Sequence, residues 1–172
     1  MNSFKGRTLA VIGDFSLDER KYLFEKTREL KECFAKGDTA GLDRFRIDDR
    51  DFGVYEVFLE PSTRTKESFK NAAEFHGVKL SNLDTGSSSF NKSESYTDTF
   101  QTLIGYNNYI FIVRSKLEGV CRLLEDVGKK FAKRNGIKTN PAFINAGDGK
   151  HEHPTQELLD EFTFLEQNGW SS

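Results

Sequence analysis

The sequence predicts an α/β fold, a mostly parallel sheet between two layers of helices in a three-layer α-β-α arrangement. Two observations lead there. From residue 52 onward, short runs rich in β-branched and aromatic residues alternate four times with amphipathic runs, and parallel strands need such helical crossovers. The chemically unusual polar residues, moreover, fall in the turns that follow these strand-like runs, where open parallel sheets bind ligands. Ser62 to Thr65 follow the first, Ser87 to Ser89 and Lys92 the second, Arg114 ends the third, and the fourth runs into Asp148, His151 and His153. All four sets are expected along one edge of the sheet.

The elements follow in order. "SLDERKYLFEKTRELKECFAKG" opens with Ser16 and Glu19 in capping-box spacing, stops at Gly37, and reads as a surface helix with Leu23, Leu30 and Phe34 near one face. Residues 37–51 are polar and punctuated by Gly and Asp. "FGVYEVFLE" is a buried strand, and "KESFKNAAEFHG" a helix with Phe69, Ala72, Ala73 and His76 at helical spacing and Gly77 at its end. "VKLSNLD" is a weaker strand, "TGSSSFNKSES" a low-complexity turn, and "SYTDTFQTLIGY" a helix with Tyr96, Phe100, Leu103 and Ile104 on its stripe. "NYIFIVR" is the clearest strand; the helix behind it carries Val120, Leu123, Leu124, Val127 and Phe131 on one face. "PAFINAG" is the last strand, and Pro154 opens the final helix near its first position.

Composition bounds the function. The 172 residues suit one domain, and 36% hydrophobic residues with sixteen Phe supply a core. A formal charge of −2 gives no overall pull toward nucleic acid or an anionic membrane, so any anion site must be local. Cys33 and Cys121 stand far apart, which suits buried thiols in a reducing compartment, with the cytoplasm as the default. The N-terminus lacks a signal-peptide core, and no run of about 18 apolar residues occurs, so neither secretion nor a membrane span is expected.

Arg64 offers a planar fork of donors for phosphate oxygens, and Ser62, Thr63 and Thr65 add hydroxyls beside the N–H groups of a helix start. The same turn also reads as a plain cap, with Ser62 capping and Arg64 solvated. Arg114 is either a second cation for the same crevice or an exposed strand-end arginine. His151 and His153, with Asp148 or Glu152, have the look of a metal site, but structural zinc wants four convergent ligands and no Cys is near. The favoured reading holds His153 before Pro154 at a helix entrance, donating to a carbonyl oxygen, with Gln156 in the first turn. Ser88 and Lys92 lie either in a solvated linker or in a mobile cationic loop that closes on an anion. "GDG" at Gly147 to Gly149 is too short for a dinucleotide fingerprint and no GxxxxGK occurs.

"EPSTRTKESF", then "IVR", then "NAGDGKHEHPTQELLDEFT" resemble, in order and spacing from about Phe4 onward, the carbamoyl-phosphate-binding half of an aspartate carbamoyltransferase. Ornithine carbamoyltransferases share the S-T-R-T turn and H-P-T-Q, but the flanking "EPSTRT" and "NAGDG" resemble the aspartate enzymes more. The resemblance implies that Ser62, Thr63, Arg64 and Thr65 bind the phosphate, Thr65 also reaching the carbonyl oxygen. It implies that Arg114 bridges phosphate and carbonyl, His153 polarises the carbonyl, and Gln156 holds the carbamoyl amide. In a trimer, Ser88 and Lys92 would be lent to the neighbouring site, with Ser89 the alternative to Ser88. The implied reaction is attack by the aspartate amino group and expulsion of phosphate, in pyrimidine synthesis, without metal, cofactor or covalent enzyme intermediate. Lys66 departs from the family, standing where many members carry a second arginine. The family's aspartate-binding domain is expected beyond "EQNGWSS", so residues 1–172 are expected to bind carbamoyl phosphate or phosphate without turnover. A regulatory chain is a further candidate partner, and a non-catalytic anion-binding or assembly domain is the alternative reading.

Overall fold

The computed structural model describes residues 4–83, 96–106 and 108–170. Four strands, β1 (Gly53–Phe58), β2 (Lys79–Asn82), β3 (Asn108–Ser115) and β4 (Ala142–Asp148), form one sheet in the order β2-β1-β3-β4. Every pairing is parallel. Among the described residues six α-helices accompany them: α1 (Leu17–Lys36), α2 (Thr39–Asp43), α3 (Thr63–His76), α4 (Tyr96–Gly105), α5 (Val120–Arg134) and α6 (Pro154–Gln167). Strands and crossover helices therefore alternate as the sequence pattern predicts.

Because strand side chains alternate between faces, the sheet builds two cores. Tyr55 and Val57 of β1, Phe111 and Val113 of β3, and Phe143 of β4 meet Phe100, Leu103 and Ile104 of α4 and Val120, Cys121 and Leu124 of α5. Phe100, Phe111 and Phe143 form its centre, the last two stacked at 5.2 Å. On the other face Val54 and Phe58, Ile110 and Ile112, and Ile144 and Ala146 meet Phe69 of α3. The helix α1 lies against α6 through Phe24 and Phe162, ring centroids 5.9 Å apart, and an Arg20–Glu161 ion pair of 2.7 Å. Cys33 and Cys121 are both free and buried, and burial pushes the Cys121 thiol up to about 12, which makes it unreactive.

Local signals held where chemistry is local. Ser16 and Glu19 form the capping box of α1, and Gly37 and Gly77 close α1 and α3 in the left-handed region. Other expectations are corrected. The buried residues of α1 are Glu19, Phe24 and Cys33, whereas Phe34 is 57% exposed and packs sideways on Phe75 of α3. On α5 Leu123 faces outward, and Cys121 and Gly128 take the inner positions. The polar stretch 37–51 contains α2, capped by Asp38, whose side chain accepts from the Gly41 N–H. Leu9 adds a single parallel bridge to Ile144, extending the sheet past β4, where a one-residue pairing leaves no periodicity to read.

Candidate functional site

The turn after β1 is the first wall. Ser62 is the N-cap of α3, yet its side chain makes no capping hydrogen bond. The first backbone bond of the helix runs from the Lys66 N–H to the Ser62 carbonyl at 3.1 Å, so the N–H groups of Thr63, Arg64 and Thr65 precede the helical ladder. A hydroxyl at a cap position that does not cap, beside open N–H donors, favours the binding reading of this turn over the capping one. Arg64 and Lys66 form no ion pair among the described residues.

Arg114, near the end of β3, forms the second wall. Its backbone carbonyl accepts from the Leu59 N–H at 2.9 Å, tying it to the exit of β1. On its other side the register with β4 shifts: Val113 pairs with Asn145 and Ser115 with Asp148, leaving Ala146 and Gly147 opposite Arg114. This is a bulge, which re-aims neighbouring groups. The Arg114 Nη1 donates to the Ala146 carbonyl at 2.7 Å, while its Nε is buried without a partner among the described residues. Gly147 has φ 113, and a Cβ there would collide with Arg114 Nη1 and sit 3.5 Å from the His153 ring. The glycine of "NAGDG" is thus the floor on which the arginine and the histidine rest.

His153 is the N-cap of α6. Its Nδ1 accepts from the Gln156 backbone N–H at 3.4 Å and lies 3.1 Å from the Thr155 hydroxyl. A backbone N–H can only donate, so Nδ1 is the unprotonated nitrogen and a neutral ring carries its proton on Nε2. That Nε2 is buried and has no partner among the described residues. Burial, and then the nearby Arg114 charge, hold the ring's pKa below the ordinary histidine value, which favours this neutral donor form.

The connecting segment is braced by buried side chains that the sequence pattern did not mark as structural. Asn145, fully buried, donates to the Ala10 carbonyl at 2.9 Å and the Glu152 carbonyl at 3.2 Å, and accepts from the Gly147 N–H at 2.9 Å. Asp148 accepts from the Gly119 N–H at 2.8 Å, at the start of α5, and from the Glu152 N–H at 2.9 Å. Burial opposes the Asp148 charge, but those N–H groups, Asn145 and His151 outweigh it and lower its pKa. His151 lies 3.1 Å from Asp148, which raises the His151 pKa. His151 and His153 thus have different partners. Among the described residues no group of three or more His, Cys, Asp or Glu is arranged to hold a metal ion.

These walls enclose a cleft of about 740 Å³ at the C-terminal edge of the sheet. Ser62, Arg64, Thr65, Arg114, His153 and Gln156 line it, joined by Ser68, Phe69, Ala72, Thr155 and Leu159. Among the described residues that line it there is no carboxylate, so these residues make the cleft cationic in a chain of net charge −2. Thr63 is exposed and does not line the cleft. Ser88, Ser89 and Lys92 lie outside the described residues.

A parallel α/β domain with such a cleft at its switch edge is a ligand-binding domain by build. Residues 7–166 match the family described as aspartate/ornithine carbamoyltransferase, carbamoyl-P binding domain, and the chain belongs to that family. It is 69% identical over 170 residues to the protein PyrBI of Treponema denticola, covering 99% of this chain and 32% of that relative. It is 34% identical to an aspartate carbamoyltransferase catalytic subunit of Desulfitobacterium hafniense, covering 95% of this chain and 47% of that one. Among solved structures it resembles the aspartate transcarbamoylase of Trypanosoma cruzi in complex with carbamoyl phosphate and aspartate. There the TM-score is 0.73 at 26% identity, over 96% of this chain and 49% of that one. The chain therefore spans between about a third and a half of the length of these relatives.

Proposed function

We propose that this chain is the carbamoyl-phosphate side of an aspartate carbamoyltransferase and binds carbamoyl phosphate in the cleft. The observation that carries the reading is the convergence of Arg64, Arg114, the open first turn of α3 and the His153 ring in one cleft with no carboxylate among its described lining residues. The phosphate dianion sits at the α3 turn, with Ser62, Thr65 and the two guanidinium groups as donors. The carbonyl oxygen lies toward His153 Nε2–H and Arg114, and the amide toward Gln156. When an amine attacks the carbamoyl carbon, the new C–N bond pushes charge onto that oxygen, and the same donors stabilise it before the C–O bond to phosphate breaks. In this reading residues 1–172 form one domain that acts in the cytoplasm within a trimer. The neighbouring subunit lends Ser88 and Lys92, and aspartate is bound by residues outside this sequence.

Calorimetric titration of the folded chain with carbamoyl phosphate and with inorganic phosphate tests the reading. Both should bind, and Arg64→Ala should weaken each by about tenfold or more, the size of a lost charge-assisted contact. A folded sample that binds neither contradicts it.

A further inference from the structure

We propose that Asp160 is a positioning residue that sets which end of the Gln156 amide faces the cleft. The site would thereby select a ligand with N–H donors beside its phosphate. The inference rests on the carbamoyl phosphate reading above and concerns a residue to which that reading gives no part.

Gln156 and Asp160 are one turn apart on α6, and Gln156 Nε2 donates to Asp160 Oδ1 at 2.9 Å. The two ends of a glutamine amide have nearly the same shape, so either could face a ligand. An ionised carboxylate only accepts hydrogen bonds. It therefore takes the NH₂ end and leaves Oε1 as the group the Gln156 side chain can turn to the cleft it lines. Asp160 also acts electrostatically on His153, which places its charge near the same cleft.

The consequence lies in the chemistry of the lining. Among the described lining residues, Arg64 and Arg114 are donors only, His153 has its acceptor nitrogen occupied, and the hydroxyls of Ser62, Thr65, Ser68 and Thr155 can donate or accept. A phosphate and a carbonyl oxygen need donors, and these groups supply them. Among the described lining side chains the sorted Oε1 of Gln156 is the acceptor that cannot also donate, and it serves a ligand N–H. Without Asp160 the amide is free to turn its NH₂ inward, and the site loses its preference for that N–H.

A helical Gln–Asp pair at this spacing also stabilises an exposed helix slightly, so the test must read selectivity rather than stability. Carbamoyl phosphate, acetyl phosphate, which carries CH₃ in place of NH₂, and inorganic phosphate are titrated calorimetrically into the 172-residue chain and into Asp160→Ala and Asp160→Asn. Titration near pH 8, above the ordinary histidine pKa of about 6.5, keeps the ring neutral. The unaltered chain should prefer carbamoyl over acetyl phosphate by about tenfold, and Asp160→Ala should cut that ratio about fivefold. Inorganic phosphate affinity should stay within about twofold, because no phosphate donor has changed. Asp160→Asn keeps the shape but can donate as well as accept, so its ratio should fall between the two. An unchanged ratio in both variants overturns the proposal, as does an unaltered chain that binds both acyl phosphates equally. If the unaltered chain binds no phosphate at all, the parent reading falls and takes this one with it.

Discussion

The guanidinium of Arg114 occupies the space that a side chain on Gly147 would need. The two residues face each other across the bulge between β3 and β4, and Gly147 holds φ 113, a conformation essentially closed to other residues. Gly147→Ala should therefore displace Arg114 and strain the backbone. The expected outcome is a loss of about 1–3 kcal/mol in stability and a drop of about tenfold or more in phosphate affinity. Chemical denaturation and calorimetry on the same sample check both.

The turn after β1 offers a sharper comparison. Thr65 and Ser62 line the cleft and Thr63 does not. Thr65→Ala and Ser62→Ala should each weaken phosphate binding by about three- to tenfold, the range for one lost hydrogen bond. Thr63→Ala should leave it within about twofold, since its contribution is confined to a backbone N–H. Equal losses at Thr63 and Thr65 would contradict this placement of the ligand.

His151 and His153 should give opposite pH signatures. The His153 pKa is lowered by burial and Arg114, so the folded state binds fewer protons there than the unfolded chain. Its neutral form is a stability asset above the unfolded value of about 6.5, lost as pH falls below it. The His151 pKa is raised by Asp148, so its contribution is fully present below about 6.5 and is lost as pH rises through the raised value. Thermal midpoints across this range for His151→Asn and His153→Asn, each subtracted from the unaltered chain, should slope in opposite directions.

Glu56 is a buried acid with both carboxylate oxygens unpartnered among the described residues. It lies on the same face of β1 as Val54 and Phe58, beneath α3, where burial raises its pKa and the charges of Lys66 and, less, Lys70 oppose that rise. A raised carboxyl pKa means that the folded state binds more protons, so stability falls as pH rises from the unfolded value of about 4.3 through the folded one. Glu56→Gln should remove that fall and stabilise the chain near neutral pH by about 1–2 kcal/mol. Lys66→Met should do the reverse by removing the larger of the two lysine charges that favour the carboxylate. Denaturant midpoints between pH 4 and pH 8 read both.

What the sequence made legible follows from the range of the chemistry. Ser16 with Glu19, Gly37, Gly77 and Pro154 act within a few residues of themselves, and each stands at a helix end. The placing of Arg64, Arg114 and His153 on one edge followed from topology, because side chains at the ends of neighbouring parallel strands must converge. The spacing of Leu23, Leu30 and Phe34 marks one face of α1 but not what covers it: Phe34 packs against Phe75 of a neighbouring helix. The bulge that seats Arg114 over Gly147 pairs residues 33 positions apart, as their numbers show. The Asn145 and Asp148 braces likewise join distant segments. No local pattern announces such contacts.

The most direct test is a crystal structure of this chain soaked with carbamoyl phosphate. The phosphate should lie at the first turn of α3 between Arg64 and Arg114, with the carbonyl oxygen within hydrogen-bond distance of His153 Nε2. A ligand bound elsewhere on the chain, or one whose phosphate sits at His153 and away from the α3 turn, would contradict the account.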